Sequence, residues 1–146
     1  MSVGPTNIRC PLCDSPGGEL LWQDDFCRVI HVTDAPAYPG FCRVILNRHV
    51  KEMTDLAPPE RSRLMTAVMK TEQAIRDALN PDKINLASLG NVVPHLHWHV
   101  IPRFADDPHF PDPIWGAQRH DTAHAAPPDL AAQLARRLRQ AFEGER

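Results

Sequence analysis

The chain has no long apolar run and no excess of charge of one sign in its 146 residues. A transmembrane helix needs about 20 consecutive apolar residues, so we expect no membrane partner. The formal net charge of −2 excludes the broad basic field of proteins that bind nucleic acid or anionic lipid. Residues Met1–Asn7 lack the apolar core of a secretory signal, which favours a cytoplasmic location.

Cysteine is also scarce, with four residues of which one pair, Cys10 and Cys13, has Cys-X-X-Cys spacing. With no sign of export, these thiols are better interpreted as metal ligands or free thiols than as a disulfide framework. The 15 Pro, by contrast, predict many fixed bends and loops. A hydrophobic content of 42% at this length supports one packed core and excludes global disorder.

Apolar periodicity predicts the element order β-β-β-α-β-β-α and, because most links are short, an antiparallel α+β fold. The five predicted strands are Glu19–Trp22, Cys27–Val32, Phe41–Leu46, Ile84–Leu89 and His95–Ile101. One long central helix is predicted from Pro58 to about Asn80, and a C-terminal helix after Pro127. Residues 103–126 show no periodicity, and a loop of that length is usually functional or mobile.

The most informative segment carries His95, His97 and His99 at period two. Because side chains alternate faces along a strand, the three imidazoles are predicted to share one face and the apolar residues between them the other. Three interpretations are open: a polar strand face, a catalytic zinc held by three histidines, or nucleophilic catalysis by a neutral imidazole. The sequence shows no nearby carboxylate to complete a hydrolytic zinc site.

The run His95–Ile101 resembles the His-φ-His-φ-His-φ-φ signature of the histidine-triad (HIT) superfamily of nucleotide hydrolases and transferases, in which φ is apolar. The corner Arg48–Val50, the long helix and the strand at Ile84–Leu86 follow the order of that family, so the likeness extends from about Cys10 to Trp115. The resemblance implies a HIT-like fold with a five-stranded antiparallel sheet and a homodimer. It also implies that His97 attacks the α-phosphorus of a nucleotide and forms a covalent nucleotidyl-histidine, with no catalytic metal.

The same resemblance implies several substrate contacts. His99 would hold the reacting phosphate and orient the nucleophile, while His31 and Asn85 match positions that face the nucleotide. Asn91 stands where many relatives carry Gln followed by Ser or Thr, but Val92 follows here, so one hydroxyl contact is missing. For both asparagines the alternative is ordinary turn or strand-end chemistry.

Further candidates lie towards the C-terminus. Arg103 could approach a phosphate, or it could be a solvated strand end. Trp115 could close over the site, although packing on the surface of its own domain is favoured. The remaining candidates are interpreted as loop residues or as a solvated helix face: His109, His120, His124, Arg136, Arg137 and Arg139.

The Cys-X-X-Cys pair needs two more ligands for a closed structural zinc site. Cys27 and Cys42 fall inside strands and are interpreted as core residues. In the zinc-bearing branch of the superfamily, the resemblance implies a structural zinc on Cys10, Cys13, His49 and His95. The alternative is a pair of free cysteines without a metal ion. A redox site is disfavoured because no βαβ pattern follows the pair.

The sequence thus predicts a zinc-binding segment (1–18), a HIT domain (19–116) and a loop with a C-terminal helix (117–146). The predicted function is a nucleotide hydrolase or transferase acting at the α-phosphate of a nucleotide or dinucleotide conjugate. The alternative is a non-catalytic nucleotide-binding or zinc-stabilised interaction domain. Diadenosine polyphosphates, nucleoside phosphoramidates, aminoacyl-adenylates and adenosine phosphosulfate all present a suitable α-phosphate.

Overall fold

A computed structural model describes residues 9–144. Residues 1–7, on which the expectation about a secretory signal rests, lie outside this range. The strands are β1 (Glu19–Gln23), β2 (Cys27–His31), β3 (Cys42–Leu46), β4 (Lys83–Ala87) and β5 (His97–Arg103). The helices are α1 (Pro11–Asp14), α2 (Pro58–Leu79) and α3 (Leu130–Glu143), with a 3₁₀ turn at Met53–Asp55. The strands form one antiparallel sheet in the order β1-β2-β3-β5-β4, which confirms the predicted fold.

Strand alternation gives the sheet two different faces. On one face, Val44 of β3 and Val100 of β5 pack in a large core with α2 and α3. On the other face, Ile45 pairs with His97 and Arg43 pairs with His99. The candidate site residues of β5 therefore lie on the face that the two long helices do not cover.

The two long helices form where their sequences predict. Pro58 occupies the first turn of α2, and Glu60 accepts a hydrogen bond from the Ala57 N–H at 3.0 Å. The helix ends at Leu79, and Asn80 caps it in a left-handed conformation with φ of 49°. α3 buries a stripe of leucines against the core: Leu130, Leu134 and Leu138. No helix within residues 9–144 is long and apolar enough to cross a bilayer.

The fifth strand begins at His97, so the predicted start at His95 is wrong by two residues. The His95 N–H donates to the Val93 carbonyl at 2.8 Å, which makes a tight turn around Pro94. The Leu96 N–H then donates to the Val50 carbonyl, while the Leu96 carbonyl still accepts from the Leu46 N–H of β3. As a result, the strand itself places only two of the three histidines on its open face.

Candidate active site and metal centre

His97 is held in one tautomer by a backbone contact. Its Nδ1 lies 2.6 Å from the carbonyl oxygen of His95, and because a carbonyl only accepts, Nδ1 must carry the proton. The lone pair is then left on Nε2. Burial, with Arg43 nearby, lowers the pKa of His97 below its ordinary value, so the imidazole is neutral near pH 7. A neutral imidazole with a free Nε2 is a competent nucleophile or general base.

His99 is the second imidazole of the open face. Its ring lies 5.0 Å from the ring of His97 at 80°, centroid to centroid. Nδ1 of His99 accepts a hydrogen bond of 3.3 Å from Nε of Arg43, so the proton resides on Nε2. Burial, followed by the charges of His97 and Arg43, lowers the pKa of His99 to about 3. His99 is therefore a neutral donor that could hydrogen-bond to an oxyanion.

A cavity of about 400 Å³ opens beside these two histidines. Its polar and aromatic lining residues are Arg43, Asn91, His97, His99 and Trp115, and its apolar lining includes Leu12 and Val93. The ring of Trp115 meets the ring of His99 edge-on at 5.2 Å, so it lies against the site of its own chain. Val92 is 92% exposed, and neither it nor its two neighbours supplies a hydroxyl group.

A second cluster lies next to the first. The Nδ1 of His95 is 3.3 Å from Cys10 Sγ, 3.5 Å from Cys13 Sγ and 3.2 Å from His49 Nδ1. All four potential ligand atoms lie within 4.8 Å of one another, so these residues could hold a metal ion. Nε2 of His95 contacts the Leu46 carbonyl at 2.6 Å and so carries the proton, which leaves Nδ1 as the free ligand atom.

Arg28 attaches the N-terminal segment to the sheet. It lies on the same face as the histidines, opposite Ile45, and its guanidinium donates to the carbonyls of Leu12, Ser15 and Pro16. These contacts hold α1 against the sheet, and the potential metal ligands Cys10 and Cys13 lie just before and within this helix. Sequence reasoning missed both Arg28 and Arg43; the signal was a charged residue alternating with buried β-branched residues on a central strand.

The structure places Arg103 away from the cavity lining. Its side chain is 2% exposed and forms a bidentate ion pair with Asp107 at 2.8 and 3.0 Å. It also donates to the side chain of Asn85 and to the carbonyl of Asp112. Because all three guanidinium nitrogens are engaged, Arg103 anchors the loop that carries Trp115 and has no nitrogen without a protein acceptor.

His31 lies on the helix-covered face of the sheet, because it pairs with Cys42 while its neighbour Ile30 pairs with Arg43. Its Nε2 accepts from the Gly40 N–H at 3.1 Å. The structure therefore does not bring His31 to the cavity lined by the other two histidines.

His109, His120 and His124, which the sequence analysis interprets as loop residues, each contact other groups of the protein. His109 contacts the hydroxyl of Tyr38, and the ring of His124 stacks on Phe104 at 3.6 Å. His120 contacts a backbone carbonyl of its own loop. None of the three belongs to a potential metal cluster within the described part of the chain.

Comparison with known proteins identifies the family. Residues 18–106 match the HIT domain family. A histidine triad protein of Bradyrhizobium japonicum has a similar structure, with a TM-score of 0.69, 30% sequence identity and coverage of 82% of this chain and 91% of that one.

Two curated relatives are enzymes by name. The bis(5'-nucleosyl)-tetraphosphatase [asymmetrical] of Schizosaccharomyces pombe is 37% identical over 93 residues, which are 60% of this chain and 51% of the relative. The AP-4-A phosphorylase of Mycobacterium tuberculosis is 32% identical over 89 residues, which are 57% of this chain and 46% of the relative. The chain thus spans about half the length of these relatives, and by its family match it belongs to the HIT domain family.

Proposed function

We propose that the protein is a nucleotide hydrolase or transferase that acts at the α-phosphate of a nucleotide or dinucleotide conjugate. The observation that carries this proposal is the hydrogen bond from His97 Nδ1 to the His95 carbonyl, which leaves Nε2 with a lone pair beside the cavity. The named activities of the two curated relatives, a tetraphosphatase and a phosphorylase, support a dinucleoside polyphosphate as substrate.

The proposed reaction has two displacements. Nε2 of His97 attacks the α-phosphorus, a P–N bond forms, and the bond from phosphorus to the leaving group breaks with its electron pair on that group. Water or another acceptor then attacks the same phosphorus through its oxygen and gives up a proton to solvent, the P–N bond breaks, and its electron pair returns to Nε2. The Nε2–H of His99 stabilises charge on a phosphate oxygen during both steps. Asn91, in the cavity lining, is the second proposed substrate contact.

We further propose that Cys10, Cys13, His49 and His95 hold a structural zinc ion. Tetrahedral zinc with bonds of about 2.0–2.3 Å separates its ligands by about 3.3–3.8 Å. Four of the six separations between ligand atoms are 3.2–3.5 Å, close to that geometry, and all six are within 4.8 Å. The donor set of two thiols and two imidazoles is one that zinc prefers. With four protein ligands the ion would stabilise the fold and leave no open position for catalysis.

Turnover of a panel of nucleotide conjugates tests the catalytic proposal. We expect the purified protein to hydrolyse at least one member and mass spectrometry to find a nucleotidyl adduct on His97. His97→Ala should retain nucleotide binding and lose turnover by about 10³-fold or more, whereas His120→Ala, an exposed loop variant, should match the wild type. Binding without turnover by the wild-type protein would instead support the non-catalytic alternative.

Several expectations from the sequence stay predictions. These are the homodimer, the cytoplasmic location and the division of the chain at residues 18 and 116. Asn85 stays a predicted nucleotide contact, with its Oδ1 taken by Arg103 and its amide nitrogen left for a ligand. His31 is not among the proposed contacts because it lies on the helix-covered face of the sheet. Arg103 is not among them because protein acceptors engage all three of its guanidinium nitrogens.

A further inference from the structure

Arg43 is the charged residue of the candidate site. It lies on β3 directly opposite His99, half-buried, and its Nε donates to His99 Nδ1 at 3.3 Å. Among the described residues that line the cavity, Arg43 alone carries a formal charge. A positive charge in a partly buried position is costly unless an anion accompanies it.

Arg43 has no such anion within the protein. Across residues 9–144 no carboxylate forms an ion pair with it. Burial lowers the pKa of Arg43 below its ordinary value, and the charge of Asp34 only partly offsets that effect. Its Nη1 and Nη2 donate to no acceptor in the same part of the chain. Arg28 and Arg103 differ, because carbonyl and carboxylate oxygens of the protein occupy their guanidinium nitrogens.

Neither His97 nor His99 adds a second positive charge to the cavity. His99 accepts a hydrogen bond on Nδ1 and donates from Nε2, and His97 donates from Nδ1 while keeping a lone pair on Nε2. Because Nδ1 of His99 accepts a hydrogen bond, that ring is neutral, and the proposed nucleophilic role of His97 requires a neutral ring as well. A phosphate chain in the cavity would find two neutral imidazoles, the Asn91 amide and one guanidinium with two free nitrogens.

Building on the proposed function, we propose that Arg43 binds the phosphate chain of the substrate through Nη1 and Nη2 and selects conjugates whose leaving group carries further phosphates. A planar guanidinium suits two hydrogen bonds to phosphate oxygens. Each additional phosphate adds negative charge near the same cation. Binding of the leaving group by Arg43 also replaces the hydroxyl contact that is missing because Val92 has no hydroxyl group.

Binding of inorganic triphosphate tests the anion site without reference to the base or to turnover. Calorimetry on the full chain as purified should show wild-type binding that weakens with salt. Arg43→Met should weaken it by about 10- to 100-fold, and Arg43→Lys by less, since a lysine keeps the charge but loses the planar fork. Arg136→Met removes one exposed charge from α3 and should bind as the wild type does. Absence of wild-type binding, or equal affinity in all four proteins, overturns the proposal.

Turnover with two substrates then tests selection. The ratio of kcat/KM for a dinucleoside polyphosphate to kcat/KM for a nucleoside phosphoramidate should fall by about 10- to 100-fold in Arg43→Met. Equal losses on both substrates would mean that Arg43 only orients His99, and would overturn the selection. If the wild-type protein turns over neither substrate, the proposed function fails, while the triphosphate affinities still decide whether Arg43 binds the phosphate chain. Circular dichroism of each variant confirms that it is folded.

Discussion

The ion pair between Arg103 and Asp107 gives the sharpest test of how the loop beside the site is held. The two side chains are 2% and 1% exposed, and two hydrogen bonds of 2.8 and 3.0 Å join them. Burial alone would raise the pKa of Asp107, but hydrogen bonds from Arg103 and from the N–H groups of Phe104 and His109 lower it below its usual value. Arg103→Met keeps an unbranched apolar stem and removes the charge.

The expected cost is set by the carboxylate left behind. Removing one partner of a buried pair typically costs about 3–5 kcal/mol, because the other charge stays buried without compensation. Asp107 keeps hydrogen bonds from the N–H groups of Phe104, His109 and Phe110, which favours the lower end of that range. Replacing both partners, as in Arg103→Met with Asp107→Asn, should cost less than Arg103→Met alone.

Urea unfolding in excess zinc measures this free energy. With a slope of about 2 kcal/mol per M, a loss of about 3–5 kcal/mol lowers the midpoint by about 1.5–2.5 M. The control is Arg119→Met, because Arg119 pairs with Asp112 in the same loop at 2.9 Å but is 54% exposed. An exposed pair contributes about 1 kcal/mol or less. The reasoning is refuted if the two single variants shift the midpoint equally.

Three further predictions concern the metal centre, a glycine and pH. Cys13→Ser should bind less than one zinc ion per chain, as measured by atomic emission. Removal of zinc with a chelator should lower the Tm of the wild-type protein by about 10 °C, and an unchanged Tm would contradict a structural role for zinc. Gly40→Ala should cost about 1–3 kcal/mol in urea unfolding, because φ is +87° and the new Cβ would lie 2.4 Å from Leu79 Cδ1; Gly116→Ala, without a positive φ, should cost less. In the folded state the pKa of His99 is about 3, against an ordinary 6.5. Below pH 6.5 the unfolded chain therefore binds a proton that the folded protein does not, and the free energy of unfolding should fall, by about 2 kcal/mol at pH 5. His99→Gln should reduce this pH dependence, and an identical dependence in the variant would refute the prediction.

The fold was predictable because its signals are local. The short apolar run in Cys42–Leu46 and the helical spacing in Pro58–Leu79 each specify an element within one window of sequence, and the structure has both. The start of β5 was not predictable in this way. His95 leaves the strand because of a tight turn at Pro94 and the pairing of Leu96 with Val50, and that pairing joins residues far apart in the chain.

The candidate site was predictable only in part, because hydrogen-bond partners depend on tertiary contacts. A cation after the histidine strand suggested a phosphate ligand, yet Asp107 and Asp112 in the following loop engage Arg103. Arg43 looked like an ordinary strand residue in the sequence. Its importance arises only from the register that places it opposite His99.

His95 connects the metal cluster to the proposed nucleophile. Its ring contributes Nδ1 to the cluster and is held by the Leu46 carbonyl through Nε2, while its own carbonyl accepts from Nδ1 of His97. The direction of that carbonyl, and hence the tautomer and orientation of His97, depends on the position of the His95 backbone. A metal ion held by these four residues would fix His95 and so help to orient Nε2 of His97, the proposed nucleophile, through one peptide unit. This gives a physical reason for the proposed nucleophile on β5 to lie beside a cluster of thiols and imidazoles.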